Sequence, residues 1–427
     1  MTGSSPRPDA DSPRSLFGAE PTVVRAVLDA ADPLPGATGR GPPAMGAFGG
    51  RLTASEQPDD SVSRPDCLVR DVLGRQPVYS ERDAADPTAD GQWAFSPNEL
   101  DKPVVVPPGA VRTAAGDEPV LTLPDLPADS VADAMAAVSD ALAAALGLDS
   151  VADVVDGSAT AAPTATAGSD DDAHPTADVA VAFSGGIDSA LVARGFPHAP
   201  LYVIGFEGSH DIAAAREAAD AMGRRGALRV IELTHDRLRE AVPRVVAATG
   251  RTNPMDVCIA LPLMLVAERA AADGYRRLAV GQGADELFGG YAKVVDPAAD
   301  HRVDSDTVRG AVRETIATLS GQLERDVCGL RAAGVEPVTP FLQDRVVDAA
   351  LRLPAELLAT TEERKVALRR FARTNELLPA SVSSTDKKAV QYGSYVSREL
   401  DRLARQAGYK RRMDDHVGQY IRHLCEP

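Results

Sequence analysis

Residues 184–189 read Ser-Gly-Gly-Ile-Asp-Ser. Two hydroxyls, two glycines and one carboxylate within six positions suit a phosphate. Gly185 and Gly186 let an anion approach the backbone without a Cβ in the way, and both permit positive φ. Ser184 and Ser189 add hydroxyl donors. Where such a turn opens a helix, its backbone N–H groups and the helix dipole favour negative charge. Asp188 is the odd member, because a carboxylate repels a phosphate. A divalent cation held between the two removes the repulsion, so the set suits a magnesium pyrophosphate. A P-loop of the GxxxxGK[ST] kind is absent, since no Lys follows the second Gly. The plain alternative is a tight turn capped by Ser or Asp.

A second acidic turn lies further on. Residues 278–291 read LAVGQGADELFGGY, an apolar run that ends in Gly-Gln-Gly and is followed by Asp285 and Glu286. Carboxylates at the C-terminal end of a strand stand where open α/β sheets bind ligands. Asp285 is therefore a candidate second oxygen ligand for the ion that Asp188 would hold. A third cluster is basic: of the six lysines in the chain, Lys365, Lys387 and Lys388 fall within residues 365–388. That grouping suits an anion-facing surface, with a solvated helix face as the alternative.

The elements that must position these groups follow from periodicity. Residues 179–183 are apolar throughout and β-prone at Val179, Val181 and Phe183, as in a strand buried on both faces, and a helical run begins at Ala190. From Asp178 onward, strands are expected at 201–206, 228–233 and 278–281. Helices are expected at 209–222, from 234 or 235, and at 261–272. That alternation predicts an α/β doubly wound parallel sheet, with a helical C-terminal lobe after Asp306. Upstream, 67–79, 92–100 and 104–111 are short β-rich stretches punctuated by Gly and Pro, which predict a small β-rich N-terminal domain. Helices are expected over 21–31, with Pro21 at the first position, and over 128–147, with Ser130 as N-cap; Leu34-Pro-Gly reads as loop. The expected boundaries are a disordered tail at 1–17, a β domain at 18–125, and the nucleotide domain at 126–427. The nucleotide domain contains a flexible acidic linker at 157–177.

Composition narrows the class. The chain has 427 residues with 44% hydrophobic and 4% aromatic content, so Ala, Val and Leu must fill its core. A net charge of −17 disfavours non-specific nucleic-acid binding and anionic membranes. Cys67, Cys258, Cys328 and Cys425 form no CxxC pair, which disfavours a zinc site or a disulfide framework. No apolar run is long enough to span a membrane, and the first residues lack the apolar core of a signal peptide. A cytoplasmic location is the expectation.

The SGGIDS run resembles the pyrophosphate loop of the N-type ATP pyrophosphatases, which include asparagine, argininosuccinate, GMP and NAD synthetases and tRNA-thiolating enzymes. With GxGADExFGGY it resembles the synthetase domain of the asparagine synthetase family, which includes β-lactam synthetases. Three further stretches are similar to that family: IGFEGSHDIAAAREAADAMG at 204–223, GVEPVTPFLQD at 334–344, and LPASV at 378–382 followed by Lys387 and Gly393. The order RDxLGxxPxY, W-A-F-S and PPG in the first third resembles the end of that family's glutaminase half.

The resemblance implies an adenine nucleotide alpha hydrolase-like fold, ATP and Mg2+ as cofactors, and aspartate and ammonia as substrates. It implies that Ser184, Gly185, Gly186, Asp188, Ser189 and Gly283 hold the nucleotide, and that Asp188 and Asp285 bind magnesium. Glu336 would take the proton of the attacking amine. Lys387 would neutralise pyrophosphate, with Lys365 as a second basic candidate. The chain departs from the pattern at Pro337-Val338-Thr339 and at Ser383-Ser-Thr385. The β-lactam branch pairs its Glu with a Tyr, and Tyr275, Tyr291 and Tyr392 have no assignable place, which favours the asparagine branch. The family's amidase uses an N-terminal Cys; position 2 is Thr, the first Cys is Cys67 and the first His is His174. A degenerate glutaminase-like domain is therefore expected, with ammonia taken free or from a separate glutaminase subunit. A homodimer stays open. So do amidation of another carboxylate and a non-catalytic nucleotide-binding paralogue.

Overall fold

The computed structural model describes residues 15–42, 44–54, 65–148, 178–384, 390–412 and 414–426. The expected linker at 157–177 lies outside them.

The half of the chain from Asp178 onward is built on five parallel strands: β9 (Val179–Ala182), β10 (Leu201–Gly205), β11 (Leu228–Glu232), β12 (Arg277–Ala279) and β13 (Glu336–Val338). Their spatial order is β11-β10-β9-β12-β13. The chain leaves β9 towards β10 on one side and reaches β12 on the other, so the crevice for a ligand opens above β9. Alternation is visible in the packing. Val179, Val181, Leu201 and Val203 join one buried cluster, while Ala180, Tyr202 and Ile204 join the other. Both faces are covered by helices, which explains why these strands read as continuous apolar runs.

Helix starts follow their caps. Ser130 accepts from the Asp133 N–H at the start of Val131–Ala145, and Thr234 accepts from the Arg237 N–H at the start of His235–Thr249. The helix expected at 261–272 is longer. It runs Pro254–Ala272, because Asn253 caps it and Pro254 occupies its first turn. The Leu34-Pro-Gly stretch, expected as loop, leads into a short helix over Pro35–Thr38. β13 was not expected, since three residues containing Pro337 carry no period. Pro337 is tolerated because β13 is the last strand in the order, where a missing N–H costs no ladder bond.

The first third forms two antiparallel sheets. One is ordered β1 (Leu16–Phe17), β2 (Gly49–Leu52), β3 (Cys67–Arg70), β7 (Ala110–Thr113) and β8 (Gly116–Pro119). The other is β5 (Trp93–Ala94), β4 (Tyr79–Glu81) and β6 (Pro103–Val105). Leu16 and Phe17, expected in the tail, pair with Gly50 and Gly49. Phe17 packs edge-on against Phe95 at 4.7 Å and lies under the Arg331 guanidinium. That burial draws the segment into the fold.

These sheets are joined to the half that carries the parallel sheet by a buried ion network. Arg75 donates to Asp71 at 2.8 Å and to Asp344 at 2.7 Å, and all three side chains are at most 2% exposed. Asp344 also accepts from the Gly36 N–H, and its own N–H donates to the Met45 carbonyl. Among the described residues, no helix is long and apolar enough to cross a membrane.

Candidate active site

The loop after β9 is held by its own serines. The Ser184 N–H donates to Ser189 Oγ at 3.2 Å, the two hydroxyls lie 3.1 Å apart, and Ser189 Oγ donates to the Gly186 carbonyl at 3.0 Å. Gly185 has φ +78°, and a Cβ there would come within 2.5 Å of the Ala214 carbonyl oxygen. The loop can therefore press against the His210–Ala221 helix only as glycine. Gly186 is the N-cap of the Ile187–Gly195 helix, whose first turn carries Asp188. An anion placed over this loop meets the helix N-terminus.

Asp285 comes from the loop after β12. Gly283, at φ +90°, leads into the short helix Ala284–Leu287. Gly281 packs so closely on Asp188 that a Cβ there would sit 2.9 Å from the Asp188 Cβ. That contact brings the two acidic loops together at the C-terminal ends of β9 and β12.

Lys365 lies between the two carboxylates. Its ammonium is 2.6 Å from Asp188 Oδ2 and 2.7 Å from Asp285 Oδ1, and the residue is 8% exposed. Burial pulls the ammonium down, but Asp188 and Asp285 outweigh it and hold Lys365 above the usual lysine range. Lys365 is the N-cap of Val366–Thr374 and has left-handed backbone, φ 57°. Ser184, Gly186, Asp188, Ser189, Gly283, Asp285 and Lys365 all line one cavity of about 480 Å3. The structure thus brings together these seven residues expected to act, while Gly185 backs the loop from behind.

Of the other two expected residues, one is not described and one falls elsewhere. Lys387 lies outside the described residues. Glu336 is the first residue of β13, in register with Arg277, whereas Val338 pairs with Ala279. Parallel strands carry the cavity at their C-terminal ends, so Glu336 sits at the opposite end of the sheet. Its carboxylate is 49% exposed and pairs with Arg331 at 3.0 Å. The structure therefore does not bring Glu336, expected to handle the amine's proton, to the cavity.

The cavity also holds groups that the sequence did not single out. Glu286 is buried and accepts from the Tyr291 hydroxyl at 2.5 Å. Burial, and then the neighbouring Asp285, push its carboxyl up. Arg325 donates to both oxygens of Asp326 at 2.7 and 3.0 Å and to Asp256 at 2.8 Å. Asp326 in turn accepts from the Gln282 amide. Glu286 and Tyr291 are in the quoted motif, but a carboxylate beside Asp285 reads as solvated until its burial is known. Apolar residues on the β10 side, Ile204, Pro262, Leu263 and Val266, give the cavity a face suited to a flat base.

The family model described as asparagine synthase matches residues 173–328 and 298–420. The chain belongs to the asparagine synthase family. It is 27% identical over 282 residues to a putative asparagine synthetase [glutamine-hydrolyzing] 1 of Methanocaldococcus jannaschii, covering 58% of this chain and 51% of that protein. It is 25% identical over 242 residues to asparagine synthetase B [glutamine-hydrolyzing] of Escherichia coli, covering 52% and 42% respectively. A putative asparagine synthetase [glutamine-hydrolyzing] of Mycobacterium bovis is 36% identical over 132 residues, 29% of this chain and 20% of that protein. The chain thus spans about half the length, or less, of these curated relatives.

Proposed function

We propose that the protein is an ATP-dependent amide-forming ligase that adenylates the side chain of aspartate and passes the acyl group to ammonia. In the first step a carboxylate oxygen attacks the α-phosphorus of ATP, the bond from the α-phosphorus to its bridging oxygen breaks, and pyrophosphate leaves. In the second, ammonia attacks the acyl carbon, the carbon–oxygen bond to AMP breaks, and a proton is released. The observation that carries this reading is the meeting of Asp188, Asp285 and Lys365 above the SGGIDS loop at the crevice of the sheet.

Each group has a part. The N–H groups at the start of Ile187–Gly195 receive the phosphates. Ser184 and Ser189 hold the loop in shape. Asp188 and Asp285 would hold magnesium. Their oxygens converge on one cation, and among the described residues no group of three or more His, Cys, Asp or Glu could hold a metal. Two carboxylates with the remaining positions left to phosphate and water are the usual arrangement for that ion. When bound, magnesium neutralises the phosphate charge. Lys365 supplies a further positive charge to the leaving pyrophosphate, in a site shielded from water where such a charge acts strongly. Ammonia would be taken free or from a separate glutaminase subunit, because the Cys67 thiol is buried in β3 and offers no accessible nucleophile.

The test is pyrophosphate release from ATP with a panel of carboxylic acids, with ammonium or glutamine as nitrogen donor. Aspartate with ammonium should give the fastest release together with AMP. Release that is independent of any carboxylic acid would count against the reading.

A further inference from the structure

We propose that Lys365 is a built-in cation that keeps the metal position between Asp188 and Asp285 filled until nucleotide arrives, so that divalent metal enters with the nucleotide and not before it. This rests on the reading that these two carboxylates take a metal.

The geometry is that of one ammonium shared by two carboxylates, at 2.6 and 2.7 Å, in a side chain that is almost fully buried. The place is shaped for it. A Cβ at Gly290 would overlap both Asp285 Oδ1 and the Lys365 Cε, so only glycine leaves room for the lysine stem beside the acid. The left-handed backbone at Lys365 aims the side chain inward from a helix N-cap. Arg364 donates to the Gly290 carbonyl at 2.9 Å and ties that glycine to the lysine's own segment.

Two carboxylates this close repel each other, and one positive charge relieves that repulsion without solvent. A divalent cation entering alone must push the ammonium out of this pair, and a buried ammonium without a partner is costly. A nucleotide changes the exchange. Its phosphates give the displaced ammonium new charge-assisted partners while the metal takes both carboxylates. Metal and nucleotide therefore help each other in, and the lysine reaches the phosphates only once the site is loaded.

The experiment is Mn2+ titration of the full chain, followed by electron paramagnetic resonance, with and without a non-hydrolysable ATP analogue. D285N shows which bound Mn2+ belongs to this site rather than to the acidic surface. The wild type should bind site Mn2+ only with the analogue. K365M should bind it without nucleotide at least about tenfold more tightly than the wild type, a coupling of ordinary size. K365R, which keeps the charge, should stay nucleotide-dependent. Wild-type binding of Mn2+ without nucleotide, as tight as with it and lost in D285N, would overturn the proposal and leave the metal site in place. So would a folded K365M with no gain. Nucleotide-dependent Mn2+ binding that D285N leaves intact would remove the metal from these carboxylates, and the proposal with it. Thermal melting reports whether K365M folds, and the wild-type titration decides the matter if it does not.

Discussion

Asp188 and Glu336 make a pair of residues with opposite fates. Asp188 meets Lys365 and, through it, Asp285 in the cavity, so D188N should lower magnesium-dependent pyrophosphate release by at least about 100-fold, the scale of losing one preorganised charge. Circular dichroism and melting should stay close to wild type, and an unchanged rate would take Asp188 out of the site. Glu336 pairs with Arg331 at the far end of the sheet. E336Q should therefore leave both adenylation and amide formation within about twofold of wild type, as expected for a surface substitution. A selective loss of amide formation would return Glu336 to the chemistry. The sequence made the SGGIDS residues legible because their roles are local: adjacent donors on one turn. It could not show which end of a three-residue strand Glu336 occupies, nor that Glu286 is buried against Tyr291, because both facts are set by long-range packing.

At the scale of elements, the loop between β9 and its helix tolerates little change. G185A places a methyl at φ +78° and within 2.5 Å of the Ala214 carbonyl, so loop and helix must move apart. The variant should lose about 1–3 kcal/mol of stability by chemical denaturation. ATP affinity should fall further than stability alone explains, because the anion-binding N–H groups move with the loop. A G185A protein with wild-type melting and ATP affinity would show that the close approach is not required. The central strands were readable from their double-sided apolar pattern, and the capped helices from Ser130 and Thr234. β13 and β1 were not. Each is two or three residues long, below the length at which a period exists, and each is fixed by partners distant in sequence.

For the whole molecule, Asp71, Arg75 and Asp344 form the buried ionic part of the join between the antiparallel sheets and the parallel sheet's half. R75M would leave two carboxylates buried together and should cost about 3–5 kcal/mol in urea unfolding. Burial pushes the Asp344 carboxyl up to about 6, with Arg75 opposing. A carboxyl raised in the folded state binds its proton more tightly there than in the unfolded chain. Its contribution is therefore fully present below about pH 3.9 and is lost as pH rises through about 6. D344N should remove that part of the pH dependence, so the stability of wild type relative to D344N should fall between pH 4 and 6, as read by urea unfolding. The opposite slope would mean that Arg75 holds Asp344 ionised throughout. The central claim, that a carboxylate is joined to the α-phosphorus of ATP, is tested most directly with aspartate labelled with 18O in its side-chain carboxylate. Mass spectrometry of the products with ATP, magnesium and ammonium should find one 18O in AMP and none in pyrophosphate. Unlabelled AMP, or ADP with labelled orthophosphate, would contradict the account.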